Sequence, residues 1–287
     1  MTADGSCFGL SLARPGEARC ATANPLIAGF GIAGTGPKTV LLRAVGPGLA
    51  PTFGIANYLS NPYLMLYDSG GQLMLVNEGW SGSGSLMQIF AEFGAFPLTV
   101  GSADSAVVTT LSPGNYTMKV IDGAGTGGTA LAEIYDADSN PLALTQRLTN
   151  ISGRGVVYGA TAMIGGFAIT GSVPKDVLIR AVGPGLTSTF GLPNTLVTPQ
   201  LSIYNGQGTL IAQNSVWGTP TTVNASYPAA SPSAIAAAAT TAGAFPFVTG
   251  SADSAVVLAL PPGTYTGQIT GLSNAAGTAL FEIYELP

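Results

Sequence analysis

The feature that most constrains this chain is that it contains itself twice. Residues 29–49, GFGIAGTGPKTVLLRAVGPGL, fall on residues 166–186, GFAITGSVPKDVLIRAVGPGL, after a shift of 137 positions. The same shift carries YLMLYDSGGQLMLVNEGW (63–80) onto QLSIYNGQGTLIAQNSVW (200–217). Beyond the tryptophans the shift is 149. There GAFPLTVGSADSAVVTTLSPGNYT (94–117) meets GAFPFVTGSADSAVVLALPPGTYT (243–266), and GTALAEIYD (128–136) meets GTALFEIYE (277–285). The second copy therefore carries a 12-residue insertion between Trp217 and Gly243. A fixed-period match of this length marks one folding unit used twice, so any fold must be buildable in half the chain.

Within a copy, strand-length runs rich in β-branched, aromatic and aliphatic residues alternate with turn chemistry. KTVLLRAV, YLMLYD, QLMLV, SAVVTTL, NYTMKVI and TALAEIYD are such runs; DSGG, NGQG, SPGN, PPGT and GAGTGG separate them. Leu86, Ile89, Phe90 and Phe93 have helical spacing, and SAIAAAATTAG from Ser233 stands in their place in copy two. The expectation is an all-β chain of two tandem, jelly-roll-like β-sandwich domains with one short helix each. Residues 1–138 form the first with an N-terminal extension, 139–152 a strand-like connector, and 153–287 the second.

Composition narrows the function. Only 8% of residues are charged, against about 25% in an average soluble domain, and 46% are hydrophobic. Apolar runs stop short of the roughly 18 residues that span a bilayer, so a membrane-spanning chain is not expected. A net charge of −5 without a basic cluster argues against nucleic acid. The chain has no histidine, which removes Ser-His-Asp and Cys-His catalysis and the commonest transition-metal ligand. Neither YDSGG nor GSADS has the oxygen density of a calcium loop, so no metal or cofactor is expected. A surface of Ser, Thr, Gly, Ala and Asn has little repulsion to keep copies apart.

The charges at matched positions in both copies are few. Alternation places Arg43 on the face of Leu41 and Val45, and Arg180 in the same way, so each arginine needs an internal carboxylate. Asp104 or Glu133 would serve Arg43, and Asp253 or Glu282 would serve Arg180. VGPGL makes a poor phosphate cradle because Pro47 and Pro184 lack an N–H. GAGTGG fits G-x-G-x-x-G by letter only: it opens no helix and becomes GLSNAAG in copy two. Asp68, Glu78 and Glu92 become Asn205, Ser215 and Thr241, so a glycoside-cleaving site built on them would be confined to copy one, and nothing favours it over solvated loop acids. Trp80 and Trp217 suit two cores, with a sugar-stacking platform as the alternative. Cys7 and Cys20 would close a short disulfide loop in an oxidising compartment, or stay as free thiols.

The units resemble the tandem β-sandwich repeats of large secreted bacterial surface proteins. The resemblance rests on LLRAVGPGL and VLIRAVGPGL, LSPGNYT and LPPGTYT, and ALAEIYD and ALFEIYE, and it covers most of the chain after Gly29. It implies a cell-surface or extracellular location but no defined activity. Together with the uncharged surface it suggests a non-catalytic subunit that polymerises with itself as a filament, sheath or surface layer. Residues 6–14, with Phe8, Leu10 and Leu12, are the candidate strand for addition to a neighbour. The rival class is a module that binds polysaccharide.

Overall fold

The computed structural model describes residues 7–12, 25–138, 146–158, 162–169 and 171–287. The chain divides into two units, 1–148 and 149–287. Unit 1 contains β1 (Cys7–Leu12), β2 (Leu26–Ala33), β3 (Lys38–Val45), α1 (Leu49–Phe53), β4 (Pro62–Asp68) and β5 (Leu73–Asn77). It continues with α2 (Gly84–Glu92), β6 (Ser105–Leu111), β7 (Gly114–Asp122) and β8 (Leu131–Asp136). Unit 2 runs β9 (Arg147–Val157), β10 (Met163–Ile169), β11 (Lys175–Val182), α3 (Pro184–Phe190), β12 (Pro199–Asn205) and β13 (Leu210–Asn214). It ends with α4 (Pro232–Thr241), β14 (Ser254–Leu260), β15 (Gly263–Gly271) and β16 (Gly277–Glu285).

In unit 1 the strands lie in the orders β1-β8-β3-β6 and β2-β7-β4-β5; in unit 2 they lie as β9-β16-β11-β14 and β10-β15-β12-β13. The pairings are antiparallel, and the order, eight strands in two interleaved layers, is that of a jelly roll. β9 thus holds beside β16 the place that β1 holds beside β8. The strand-like stretch expected at 139–152 contributes Arg147 onward to β9, and 139–145 lie outside the described residues.

Alternation explains why these runs are strands. In β2, Leu26, Ala28, Phe30 and Ile32 are buried, and Leu64, Leu66, Met118 and Val120 meet them from β4 and β7. Phe30 lies opposite Tyr116 and the rings stack at 5.4 Å; Phe167 and Tyr265 repeat this at 5.4 Å. Each tyrosine hydroxyl donates back across its Pro-Gly turn, to Ser112 O and Pro261 O at 2.7 Å. β3 and β11 are buried on both faces, because a second small core lies on their outer side beneath α2 or α4. The β4–β5 turn is held by Asp68 Oδ1, which accepts from the N–H groups of Gly70 and Gln72 at 2.9 and 2.8 Å. Asn205 Oδ1 does the same for Gln207 and Thr209 at 3.1 and 2.9 Å, so the amide suffices where copy one has an acid.

One expectation needs correction. Among the described residues each unit has two α-helices, not one: α1 and α3 grow directly out of the GPGL turn. At five and seven residues they are too short to display a hydrophobic period. The expected helices are α2 and α4, whose N-caps are Ser83 and Ser231, accepting from Leu86 N and Ala234 N.

Candidate functional site

The twice-written RAVGPGL is the natural place to look for chemistry. Strand register sets Arg43 directly opposite Glu133 on β8, and Arg180 opposite Glu282 on β16. The ion pairs follow: Arg43 Nε to Glu133 Oε2 at 3.1 Å and Arg180 Nε to Glu282 Oε2 at 3.3 Å, all four side chains buried. Tyr135 and Tyr284 each donate their hydroxyl to the other carboxylate oxygen, at 2.7 and 2.8 Å. Burial pushes the Glu133 and Glu282 carboxyls above their ordinary range, with the adjacent arginine acting in the opposite direction. Burial together with the Glu282 charge also raises the Tyr284 phenol.

Each guanidinium is enclosed by two aromatic rings. Arg43 stands 4.6 Å from the centroid of Phe90 and 4.4 Å from that of Phe96, and donates to Phe96 O at 2.9 Å. Arg180 stands 4.3 Å from Phe245 and 4.1 Å from Phe247. N–H groups of both arginines that lack an oxygen acceptor meet π-faces instead.

Asp104 and Asp253 do a different job from the one expected of them as alternative arginine partners. Asp104 accepts from Gly46 N at 2.8 Å, from Gly48 N at 3.1 Å and from Ser102 Oγ at 2.6 Å. Asp253 accepts from Gly183 N at 2.8 Å, Gly185 N at 3.0 Å and Ser251 Oγ at 2.8 Å. The GPG loop is therefore an anion cradle after all, with its own chain's carboxylate inside it. Proline between the two donors loses nothing, since the N–H groups used are those of the flanking glycines. Gly46 has a second reason to be glycine: a Cβ there would lie 1.9 Å from Leu59 O, and one at Gly183 would lie 1.9 Å from Leu196 O.

These groups bind one another or main chain. The acids that might have served copy one alone are turn or surface groups: Asp68 caps its hairpin, while Glu78 and Glu92 are exposed. Among the described residues no group of three potential ligands could hold a metal ion, and no helix is long and apolar enough to cross a membrane. GAGTGG is a loop whose amides at Ala124 and Gly127 donate to Asp122. Trp80 is 1% exposed, its ring against Phe90 at 5.7 Å and its Nε1 donating to Ser102 Oγ at 3.2 Å. An indole so enclosed has no face for a sugar, which corrects that alternative for Trp80. Trp217 is half-buried against Phe247 at 5.9 Å. Cys7 begins β1, with Phe8, Leu10 and Leu12 further along it; Cys20, and with it the expected disulfide, lies outside the described residues.

Two features escaped the sequence reading. Lys38, matched to Lys175, is buried between Asp136 and Asp138. The outermost strand β5 leaves Leu73, Met74 and Val76 exposed at 49, 50 and 43%. Its counterpart β13 has Ile211 and Ala212 buried, and Ala212 lines a shallow apolar hollow with Pro220, Thr221, Tyr227, Ala229 and Ala230 of the insertion. The absence of charge in LMLVN was the available signal for β5.

No family model matches the chain, and no curated protein matches it. Among solved structures it is similar to the STIV MCP at 12% identity and a TM-score of 0.23, over 100% of this chain and 93% of that one. A candidate secreted protein from Eubacterium rectale is 12% identical with a TM-score of 0.20, over 86% and 65% of the two chains. PNGF-II is 8% identical with a TM-score of 0.20, over 98% and 65%. Likeness this slight says nothing about what the chain does.

Proposed function

We propose that the chain is a non-catalytic structural protein of the cell surface or extracellular space that assembles with copies of itself. The observation that carries this reading is where the repeated charges lie. Arg43, Glu133, Asp104 and their copy-two counterparts are all bound to one another or to main chain inside the fold, so the shared motif is framework. What remains outside is nearly uncharged and, at β5, apolar on an outermost strand. Such an edge invites pairing with another chain.

The assembly contact is exchange of β1. This strand pairs with β8 from Cys7↔Tyr135 to Ser11↔Leu131, and the same pairing offered by a neighbour's residues 6–14 requires no new contact. Exchange of an identical element is a low-cost route to association, and a head-to-tail version propagates into a fibre. The protein stands in the family of repeats that its RAVGPGL, PPGTYT and EIY motifs resemble, as one more surface-structure subunit.

Negative-stain electron microscopy and light scattering on natively purified protein test the reading. Regular fibres or sheets are expected, and a variant lacking residues 1–14 is expected to stay dispersed while Trp80 and Trp217 keep folded emission. Monodisperse particles near the 28.7 kDa chain mass would overturn self-assembly and favour polysaccharide binding. Normal polymers from the truncated variant would overturn the exchange of β1.

A further inference from the structure

Lys38 is the third-largest buried polar side chain after the two arginines, 1% exposed at the start of β3. Its Nζ lies 2.7 Å from Asp136 Oδ2, 2.7 Å from Asp138 Oδ2 and 3.2 Å from Gln146 O. The two carboxylates are not equivalent. Asp138 is fixed by Thr39, whose N–H donates to Oδ1 at 2.8 Å, which leaves Oδ2 toward the amine. Asp136 ends β8, and its Oδ1 faces the main-chain N–H of Asp138 at 3.4 Å. A nucleophile, a carboxyl carbon and a second acid are thus held within hydrogen-bond reach of one another in a site that excludes water.

We propose that Lys38 and Asp136 condense into an amide, an intramolecular cross-link between β3 and β8, with Asp138 as the proton carrier. The ammonium hands a proton to Asp138 Oδ2, which frees the nitrogen lone pair to attack Asp136 Cγ. Negative charge builds on Asp136 Oδ1, where the Asp138 N–H points. The new C–N bond forms, a C–O bond breaks, and the departing oxygen takes two protons that began on the ammonium, one of them returned by Asp138. One ammonium and one carboxylate become one amide and one water, with no oxidant or co-reactant. Burial favours this direction: it pushes the Asp136 carboxyl above its ordinary range, and the reaction removes two buried charges.

Unit 2 supplies the internal control. Lys175 pairs with Glu285 at 3.0 Å, but it is 37% exposed, and the position matching Asp138 is Pro287. That pair has water to solvate its ions and no aspartate where unit 1 has Asp138, so no bond is expected there. The proposal stands apart from self-assembly, since a cross-link within one unit braces a monomer as well as a polymer.

The test is the mass of the intact chain, followed by proteolysis and fragmentation. The folded protein is expected to weigh one water less than its sequence, with a branched peptide joining Lys38 to Asp136. K38R, which keeps the charge and removes the amine, and D138A are expected to have the full sequence mass with folded tryptophan emission; K175A is expected to keep the loss. Full sequence mass in the folded wild type overturns the bond. So does a water loss that maps to any residues other than Lys38 and Asp136. An unchanged loss in D138A overturns the part given to Asp138.

Discussion

The two units solve one packing problem in two ways. In unit 1 the aromatic pair around Arg43 comes from Phe90 on α2 and from Phe96; in unit 2 the pair around Arg180 is Phe245 and Phe247. Phe96 and Phe245 are matched positions, but Phe90 matches Ala239 and Leu98 matches Phe247. A ring lost from the helix has been regained from the loop, and each tryptophan follows, packing on Phe90 or on Phe247. The Arg–Glu register and the Asp–Gly–Gly cradle do not change at all. The difference separates framework from filling: the charges are tied to strand register, while bulk beside them can come from either side.

The comparison can be broken most severely at the arginines. R43A and R180A each leave a buried glutamate without its cation, which costs about 3–5 kcal/mol. Arg43 also donates to Phe96 O, a bond that Arg180 lacks, so R43A should lose at least as much as R180A, and denaturant unfolding followed by tryptophan emission measures both. A loss under 1 kcal/mol in either unit would show the pair to be incidental. The filling is tested by F90A, expected to cost about 3 kcal/mol for the cavity it opens. Adding L98F imports the unit 2 solution and should recover most of it; no recovery would mean that the backbones, and not the rings, set the arrangement.

A smaller effect tests the glutamates. Their folded-state carboxyls titrate above the unfolded value because of burial, so their contribution is full below the ordinary carboxylate range. It is lost as pH rises through the raised value. The stability of the wild type relative to E133Q should therefore fall as pH climbs from that range, and E282Q should behave alike. A relative stability that rises with pH would show the ionised pair to be the favoured one.

The duplication, the strands, the inward arginines and the buried Trp80 were legible because each leaves a mark in letter order or alternation. Arg43 and Glu133 sit on faces that alternation assigns, yet nothing local distinguishes Glu133 from Asp104 as the partner. That choice is made by pairing of β3 with β8 across a sequence separation of 90. Asp104 was misassigned because its acceptors' partners are main-chain N–H groups, which every residue carries. Lys38 carries no local mark of burial, which depends on Asp136 at the end of β8, on Asp138 beyond it and on Gln146. β5 and β13 both open with aliphatic residues, but β13 goes on to Gln213 and Asn214, and its Ala212 lies in a hollow with residues of the insertion, while Leu73, Met74 and Val76 of β5 stay exposed.

The hairpin that Asn205 closes has a consequence on the timescale of chemical ageing. Asn205 precedes Gly206, and an asparagine before glycine readily loses its amide when the next main-chain nitrogen attacks the side chain. Here two N–H donors hold Oδ1 in place, which keeps the side-chain carbonyl turned toward the loop. Hydrolysis to aspartate, when it comes, yields the residue that unit 1 already carries at position 68, closing the same hairpin with the same two bonds. A chain in which aspartate forms at this position therefore gains a negative charge and keeps its turn.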